Sequence, residues 1–123
     1  MVKVFLIIGA INGFLAVALG AFGAHGLEGK ISESALNTWE KAVKYQMFHT
    51  GSILITGLAL LKIQAGSLVS AGWMFTLGII LFSGSLYFYS TTGVRWLAMI
   101  TPFGGFSFLI GWILFGYAVI KYF

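Results

Sequence analysis

The stretch VFLIIGAINGFLAVALGAFGAHGL, residues 4–27, runs for 24 residues without a charged side chain. About 20 consecutive apolar residues cross the hydrocarbon core of a bilayer as a helix, so this stretch is long enough for one span. Three further charge-free intervals follow, at 45–61, 63–94 and 96–120. The strands of a membrane barrel would show alternating polarity and frequent turn residues, which these intervals lack. The charge pattern therefore predicts a polytopic helical membrane protein.

The amino-acid composition also indicates a membrane protein. Of the 123 residues, 59% are hydrophobic and 8% are charged, whereas about a quarter of a soluble domain is charged. The formal net charge of +4 comes from basic residues scattered over several links, which disfavours nucleic acid as a partner and favours anionic lipid headgroups. The chain has no cysteine, which excludes disulfides and thiolate chemistry.

We predict one membrane domain over residues 1–123, an all-α integral membrane fold with four spans in an up-down bundle. Short links favour this topology because they join antiparallel neighbours. The longer first link contains SESALNTWEKAVK, residues 32–44, with Ser32 as N-cap and apolar residues at helical spacing. This segment is predicted to be an amphipathic helix at the membrane interface that runs on into the second span. The predicted spans are 4–24, 45–63, 68–89 and 97–120.

Small residues recur at helical spacing on the spans. In lipid, such residues mark the faces where helices approach each other closely. Asn12 and Ser83 lie among these small and polar positions, where a buried amide or hydroxyl needs a partner on another helix. Pro102 is expected in the first turn of the last span, where proline costs no hydrogen bond. The predicted helix-packing residues are Gly9, Gly13, Gly20, Gly23, Gly104 and Gly111.

Three polar residues are predicted at one side of the membrane. His25 is expected to end the first span, with Gly26 as the helix stop, and His49 to lie one turn inside the second span. Arg95 precedes the fourth span. In an up-down bundle all three lie on the same side, together with Glu40 and Lys44. For His25 the alternative is a histidine that only complements the helix dipole.

The chain offers no recognisable catalytic constellation. There is no HExxH or GxSxG motif, no aspartate, and the three glutamates fall between 28 and 40, outside the spans. We therefore expect no enzyme activity, no metal and no cofactor. The candidate binding residues are His25, His49, Arg95, Glu40, Lys44, Asn12 and Ser83.

Four stretches resemble a known family. GAFGAHG (20–26), YQMFHT (45–50), LFSGSLY (81–87) and TPFGGFSFLIGW (101–112) are similar, in order and separation, to the YwdK/YgdD-like family of small bacterial inner-membrane proteins. The resemblance implies a four-span integral membrane protein. It implies no activity, because the family is a domain of unknown function, and it assigns no role to either histidine.

These observations favour two functions over a third, a metal- or lipid-modifying enzyme. The first is a non-enzymatic binding or assembly module that acts through the side bearing His25, His49 and Arg95, with a lipid, a protein or a second copy of the chain as partner. The alternative is a small uncoupled channel or carrier lined by the Ser, Thr and Asn faces.

Overall fold

The computed structural model describes residues 1–123 and consists of helices joined by short links. The last turn of the first helix, Gly23–Leu27, is π-helical, and a second π-helical segment, Ile79–Gly84, interrupts the third. The four helices are α1 (Val2–Leu27), α2 (Glu33–Lys62), α3 (Gly66–Thr92) and α4 (Arg95–Tyr122).

The helix ends follow local chemistry. The Ser32 side chain accepts a hydrogen bond from the Ala35 amide at 3.0 Å and caps α2. Gly29 and Gly93 adopt left-handed backbone conformations, with φ of 79° and 71°, in the links after α1 and α3. The expectation that Gly26 stops the first helix is wrong, because the π-helical turn carries the chain through His25 to Leu27.

The amphipathic segment and the second predicted span form one helix. No proline or glycine occurs between Glu33 and Thr50, and the buried positions Trp39, Ala42 and Gln46 continue one face across the predicted boundary. Residues 33–44 therefore do not form a separate helix with a direction of its own. They extend α2 toward the link that joins it to α1.

Three helices are long and apolar enough to cross a membrane, namely α1, α3 and α4. The helix α2 is not among them because polar residues occupy its middle. These residues are turned inward, where the other helices cover them. The buried polar residues of α2 are Gln46, His49, Thr50, Ser52 and Thr56.

Successive helices pack closely on each other. A Cβ on Gly9 of α1 would meet Leu54 of α2. A Cβ on Gly23, later in α1, would meet Trp39, which is earlier in α2, so these two helices run in opposite directions. The remaining predicted packing glycines also lie at helix contacts. Gly13 faces Thr50, Gly20 faces Val43, Gly104 faces Phe82 and Gly111 faces Phe75.

Polar side chains link α1, α2 and α3 through a chain of hydrogen bonds. The Tyr87 hydroxyl donates to Gln46 Oε1 at 2.6 Å, and Gln46 Nε2 donates to Asn12 Oδ1 at 3.0 Å. The Asn12 amide then donates to the Ile8 carbonyl one turn earlier, at 2.9 Å. The side-chain groups of Gln46 and Asn12 thus hold the three helices together, which satisfies amides that would be costly to leave unpaired in lipid.

Other cross-links join a side chain of one helix to the backbone of the next. Ser83, which is fully buried, donates from Oγ to the Ala42 carbonyl at 2.7 Å. Ser107 donates to the Met74 carbonyl at 2.6 Å, and Trp39 Nε1 donates to the Leu19 carbonyl at 2.9 Å. These bonds fix the positions of α3 against α2, of α4 against α3 and of α2 against α1.

The expected position of Pro102 in a first helical turn is wrong. Because Gly93 ends α3 with a left-handed residue and Val94 is extended, α4 already begins at Arg95, and Pro102 lies inside it. A proline there removes the amide that would bond the Ala98 carbonyl.

Candidate functional site

A groove of about 700 Å³ opens on the surface of the molecule between α2 and α4. Close helix packing joins α2 to α3 and α3 to α4, whereas side chains, not backbone contacts, join α2 to α4 across the groove. The lining residues are Lys44, Tyr45, Phe48 and His49 of α2, Phe82 of α3, and Pro102, Gly105, Phe106, Phe108, Leu109 and Trp112 of α4.

His49 forms the floor of the groove. Its ring stacks on Phe108 with centroids 3.6 Å apart and planes 9° from parallel. A Cβ on Gly78 of α3 would overlap the Phe108 ring, so the absence of a side chain there lets Phe108 sit against α3. The floor is therefore a rigid aromatic stack supported from behind by a third helix.

Both nitrogens of His49 are occupied. Nδ1 lies 2.9 Å from the Tyr45 carbonyl, which can only accept, and Nε2 lies 3.1 Å from Trp112 Nε1, which can only donate. His49 is therefore the neutral tautomer protonated at Nδ1. Neither nitrogen is left for a metal ion or a transferred proton, so His49 holds α2 and α4 together, and both His49 and Phe108 line the groove.

The groove walls are apolar and exposed. Phe48 on one side is 64% exposed, and Phe106 and Leu109 on the other are 63% and 59% exposed. Phe48 and Trp112 approach each other with ring centroids 5.8 Å apart and close one end of the groove. An apolar surface of this kind faces the hydrocarbon when the helices lie in a membrane.

The other end of the groove carries its single charged residue, the exposed Lys44. The depth of Lys44 follows from its neighbour Val43, which packs against Gly20 of α1. Gly20 lies seven residues before Leu27, the last residue of the charge-free stretch 4–27. At 1.5 Å per residue Lys44 lies about 10 Å inside that stretch.

Along α4 the groove extends from Pro102 to Trp112, or about 15 Å.

The structure does not bring the two histidines together. Thr50, next to His49, lies against Gly13, and His25 is twelve residues further along α1, about 18 Å away along the axis. His25 is exposed in the π-helical turn that ends α1. Arg95 is exposed at the first residue of α4, thirteen residues and about 20 Å before Phe108.

His25 and Arg95 do share one end of the molecule, the end where residues 28–32 and Gly93–Val94 link the helices. A second, polar cavity of about 400 Å³ separates these two links. It is lined by Ile31, Ser32, Ser34, Ala35, Thr38, Tyr89, Ser90 and Gly93, and by neither His25 nor Arg95.

The remaining predicted site residues divide between the interior and the surface. The side chains of Asn12 and Ser83 form the inter-helix hydrogen bonds with Gln46 and with the Ala42 carbonyl described above. Glu40 is exposed one turn before Lys44 and does not line the groove. Only His49 and Lys44, of the candidate binding residues, meet at one site.

Sequence reasoning missed the aromatic and apolar part of the groove. Phe48, Phe106 and Trp112 look like ordinary lipid-facing residues until α2 and α4, which are not neighbours along the chain, are placed side by side. A signal was present nonetheless. Every lining residue except Lys44 lies in one of three stretches that carry the family resemblance, YQMFHT, LFSGSLY and TPFGGFSFLIGW.

Comparisons with known proteins support the resemblance. Residues 19–105 match the family described as Protein of unknown function (DUF423). The chain is 50% identical over 121 residues to UPF0382 membrane protein YwdK of Bacillus subtilis, covering 98% of both chains. It is 49% identical over 123 residues to UPF0382 membrane protein SERP0230 of Staphylococcus epidermidis, again with 98% of both chains covered.

No solved structure matches the chain. The relatives are named as membrane proteins, and three helices of this chain are long and apolar enough to span a bilayer. The chain belongs to the DUF423 family and is a membrane-embedded helical protein.

Proposed function

We propose that this protein is a non-enzymatic binding protein of the membrane that holds one acyl chain of a lipid in the groove between α2 and α4. The observation that carries the proposal is the groove itself, an apolar cleft of about 700 Å³ on a surface that faces hydrocarbon. Pockets for small ligands have volumes of about 300–1,000 Å³ and are mostly apolar with a few polar groups.

The dimensions of the groove support a lipid as its occupant. Its length of about 15 Å is half the thickness of a hydrocarbon core of about 30 Å, so it matches the chain of a lipid in one leaflet. The rigid floor favours binding because the stacked His49 and Phe108 are already held in place and lose little freedom when a chain enters.

The proposal includes the arrangement in the membrane. We place all four helices across the cell (inner) membrane, alternating in direction, with α2 screened from lipid by its neighbours. The antiparallel contacts of successive helices support this topology. The start of α2, at Glu33, then lies at the same side as His25 and Arg95.

The channel alternative receives less support. A path lined by Ser, Thr and Asn would need polar groups free to exchange with a passing solute. Asn12, Gln46 and Tyr87 are instead bonded to one another, and Ser83 is bonded to backbone. A liposome flux assay over a panel of small solutes tests the alternative, and permeation above that of protein-free vesicles would favour it.

The acyl-chain proposal is tested with a lipid that carries a photoactivatable diazirine in its chain. The purified full-length protein is placed in vesicles of that lipid, irradiated, and mapped by mass spectrometry. We expect labelling to concentrate on the groove walls, at Phe48, Phe106 and Leu109, above the level at lipid-facing positions elsewhere, such as the 88% exposed Ile120.

Gly105→Leu provides the matched perturbation. A Cβ at Gly105 meets no atom within 4 Å and Gly105 lines the groove, so a leucine side chain can enter the groove from an unobstructed Cβ. Gly116→Leu makes the same change in the same helix, also into open space but away from the groove. We expect Gly105→Leu to remove the excess labelling and Gly116→Leu to leave it unchanged. Labelling that simply follows exposure in all three proteins would refute the proposal.

A further inference from the structure

We infer that the groove selects phospholipids whose headgroup carries a net negative charge, and that Lys44 is the residue that makes the selection. The inference rests on the proposed acyl-chain site and adds the class of headgroup. It is carried by the position of one charge: Lys44 is the only charged residue that lines the groove, and it stands at the end opposite the Phe48–Trp112 closure.

The depth of Lys44 favours a partner for its charge. A lysine within the hydrocarbon is costly, and it is tolerated where its stem can extend to the interface or where it is paired. Lys44 lies about 10 Å inside the charge-free length of α1, on an exposed face. From this depth a lysine stem reaches the interface by extending toward the loop end of the molecule, where a lipid headgroup would lie if its chain occupied the groove.

The chemistry of the site favours a phosphate without a compensating positive charge. The lysine ammonium binds phosphate as a point charge, and it attracts a headgroup of net negative charge more strongly than a zwitterionic one. His49 is neutral through its two hydrogen bonds and does not compete as a cation. No acidic residue lines the groove, so no carboxylate repels the phosphate there.

Neighbouring charges on α2 provide the control. Lys41 is exposed one turn before Lys44 but does not line the groove, and Glu40 likewise lies outside it. Lys41→Gln removes the same charge from the same helix, so it changes the general attraction between the protein and an anionic bilayer without changing the groove.

The experiment compares two photoactivatable lipids with identical chains, one with a phosphatidylglycerol and one with a phosphatidylcholine headgroup. Each is incorporated as a minor component in vesicles made of an equal mixture of unlabelled phosphatidylglycerol and phosphatidylcholine. The yield of crosslinks at Phe48, Phe106 and Leu109 is measured for the wild type, Lys44→Gln, Lys44→Arg and Lys41→Gln. Thermal unfolding of each variant establishes that it is folded.

We expect the wild type to favour phosphatidylglycerol about fivefold, the effect of one basic residue near an anionic headgroup. Lys44→Gln should abolish the preference, whereas Lys44→Arg and Lys41→Gln should retain it. Equal groove labelling by both lipids in the wild type would overturn the inference and leave the acyl-chain site standing. Loss of the preference in Lys41→Gln to the same extent as in Lys44→Gln would also overturn it. Absence of groove labelling by either lipid would overturn both proposals.

Discussion

The substitution Gly104→Ala should destabilise the protein by about 2 kcal/mol, because α4 touches the backbone of α3 at this point. A Cβ on Gly104 would fall on the amide nitrogen and Cα of Phe82. A side chain could turn aside from a new methyl group, but a backbone cannot. The segment also has no room to retreat, since Ser83 is bonded to the Ala42 carbonyl of α2 on its other side.

The magnitude follows from two opposing terms. Alanine is favoured over glycine in a helix interior by about 1 kcal/mol. Overpacking costs about 1–3 kcal/mol, and a contact with backbone belongs at the upper end of that range. The difference leaves a net loss of about 2 kcal/mol.

The control is Gly116→Ala, in the same helix, where a Cβ meets nothing within 4 Å. There the helix-propensity term acts alone, so we expect stability to rise by about 0.5–1 kcal/mol. The free energy of unfolding is measured by titrating the protein in mild-detergent micelles with a denaturing detergent and following its helical circular dichroism. If Gly104→Ala is as stable as Gly116→Ala, the close approach of α3 and α4 described here is wrong.

Three further substitutions test the cross-links, the first two with the same assay and the third by ¹⁵N NMR. Gln46→Leu removes both inter-helix bonds of the amide and should cost about 2 kcal/mol, with less than additive loss when combined with Tyr87→Phe; full additivity would contradict the shared bond. Ser83→Ala should cost about 1 kcal/mol and keep the helix content, whereas no loss would show that its bond to α2 contributes nothing. Trp112→Phe should shift the ¹⁵N NMR resonance of His49 Nε2 while Nδ1 stays protonated; an unmoved resonance would refute the Trp112–His49 hydrogen bond, and a protonated Nε2 in the wild type would refute the assigned tautomer.

Several features of the fold can be predicted from local pattern. The charge-free intervals identify a helical membrane protein, and the family resemblance is confirmed by the comparisons. Asn12 needs a partner on another helix because an unpaired amide in lipid is costly, and Gln46 supplies it. Such inferences succeed because they depend on one helix at a time.

The errors concern how far a helix continues. Gly26 and Pro102 carry strong local signals for a helix end and a helix start, yet both lie within continuous helical segments. The chain instead leaves the first helix at Glu28, just before the left-handed Gly29, and the left-handed Gly93 ends α3 so that α4 begins at Arg95. A glycine can continue a helix or end it, and a proline can start a helix or lie inside it, so only the packing of the whole molecule selects the outcome.

The candidate site could be predicted only in part. His49 stands out in a sequence because an ionisable residue within a span is rare, but its interpretation depends on Trp112, sixty-three residues away. The groove arises because α2 and α4 are held apart by the helix between them. No pattern within α2 or α4 contains that spacing, which is a property of three helices together.

The polar middle of α2 also has a consequence for how the chain enters a bilayer during synthesis. A segment carrying the polar Gln46 and His49 and the charged Lys44 is costly to insert alone, since a charged residue at a helix centre costs about 2.5–3.5 kcal/mol on the translocon scale. The helix α1 is apolar enough to insert unaided and bears the Asn12 amide that bonds Gln46. We expect α1 to be retained at the translocon until α2 has been synthesised, so that the two helices enter the bilayer together as a hairpin. The first link, residues 28–32, is then the turn about which that hairpin closes, and lengthening it should slow membrane integration before it affects the finished fold.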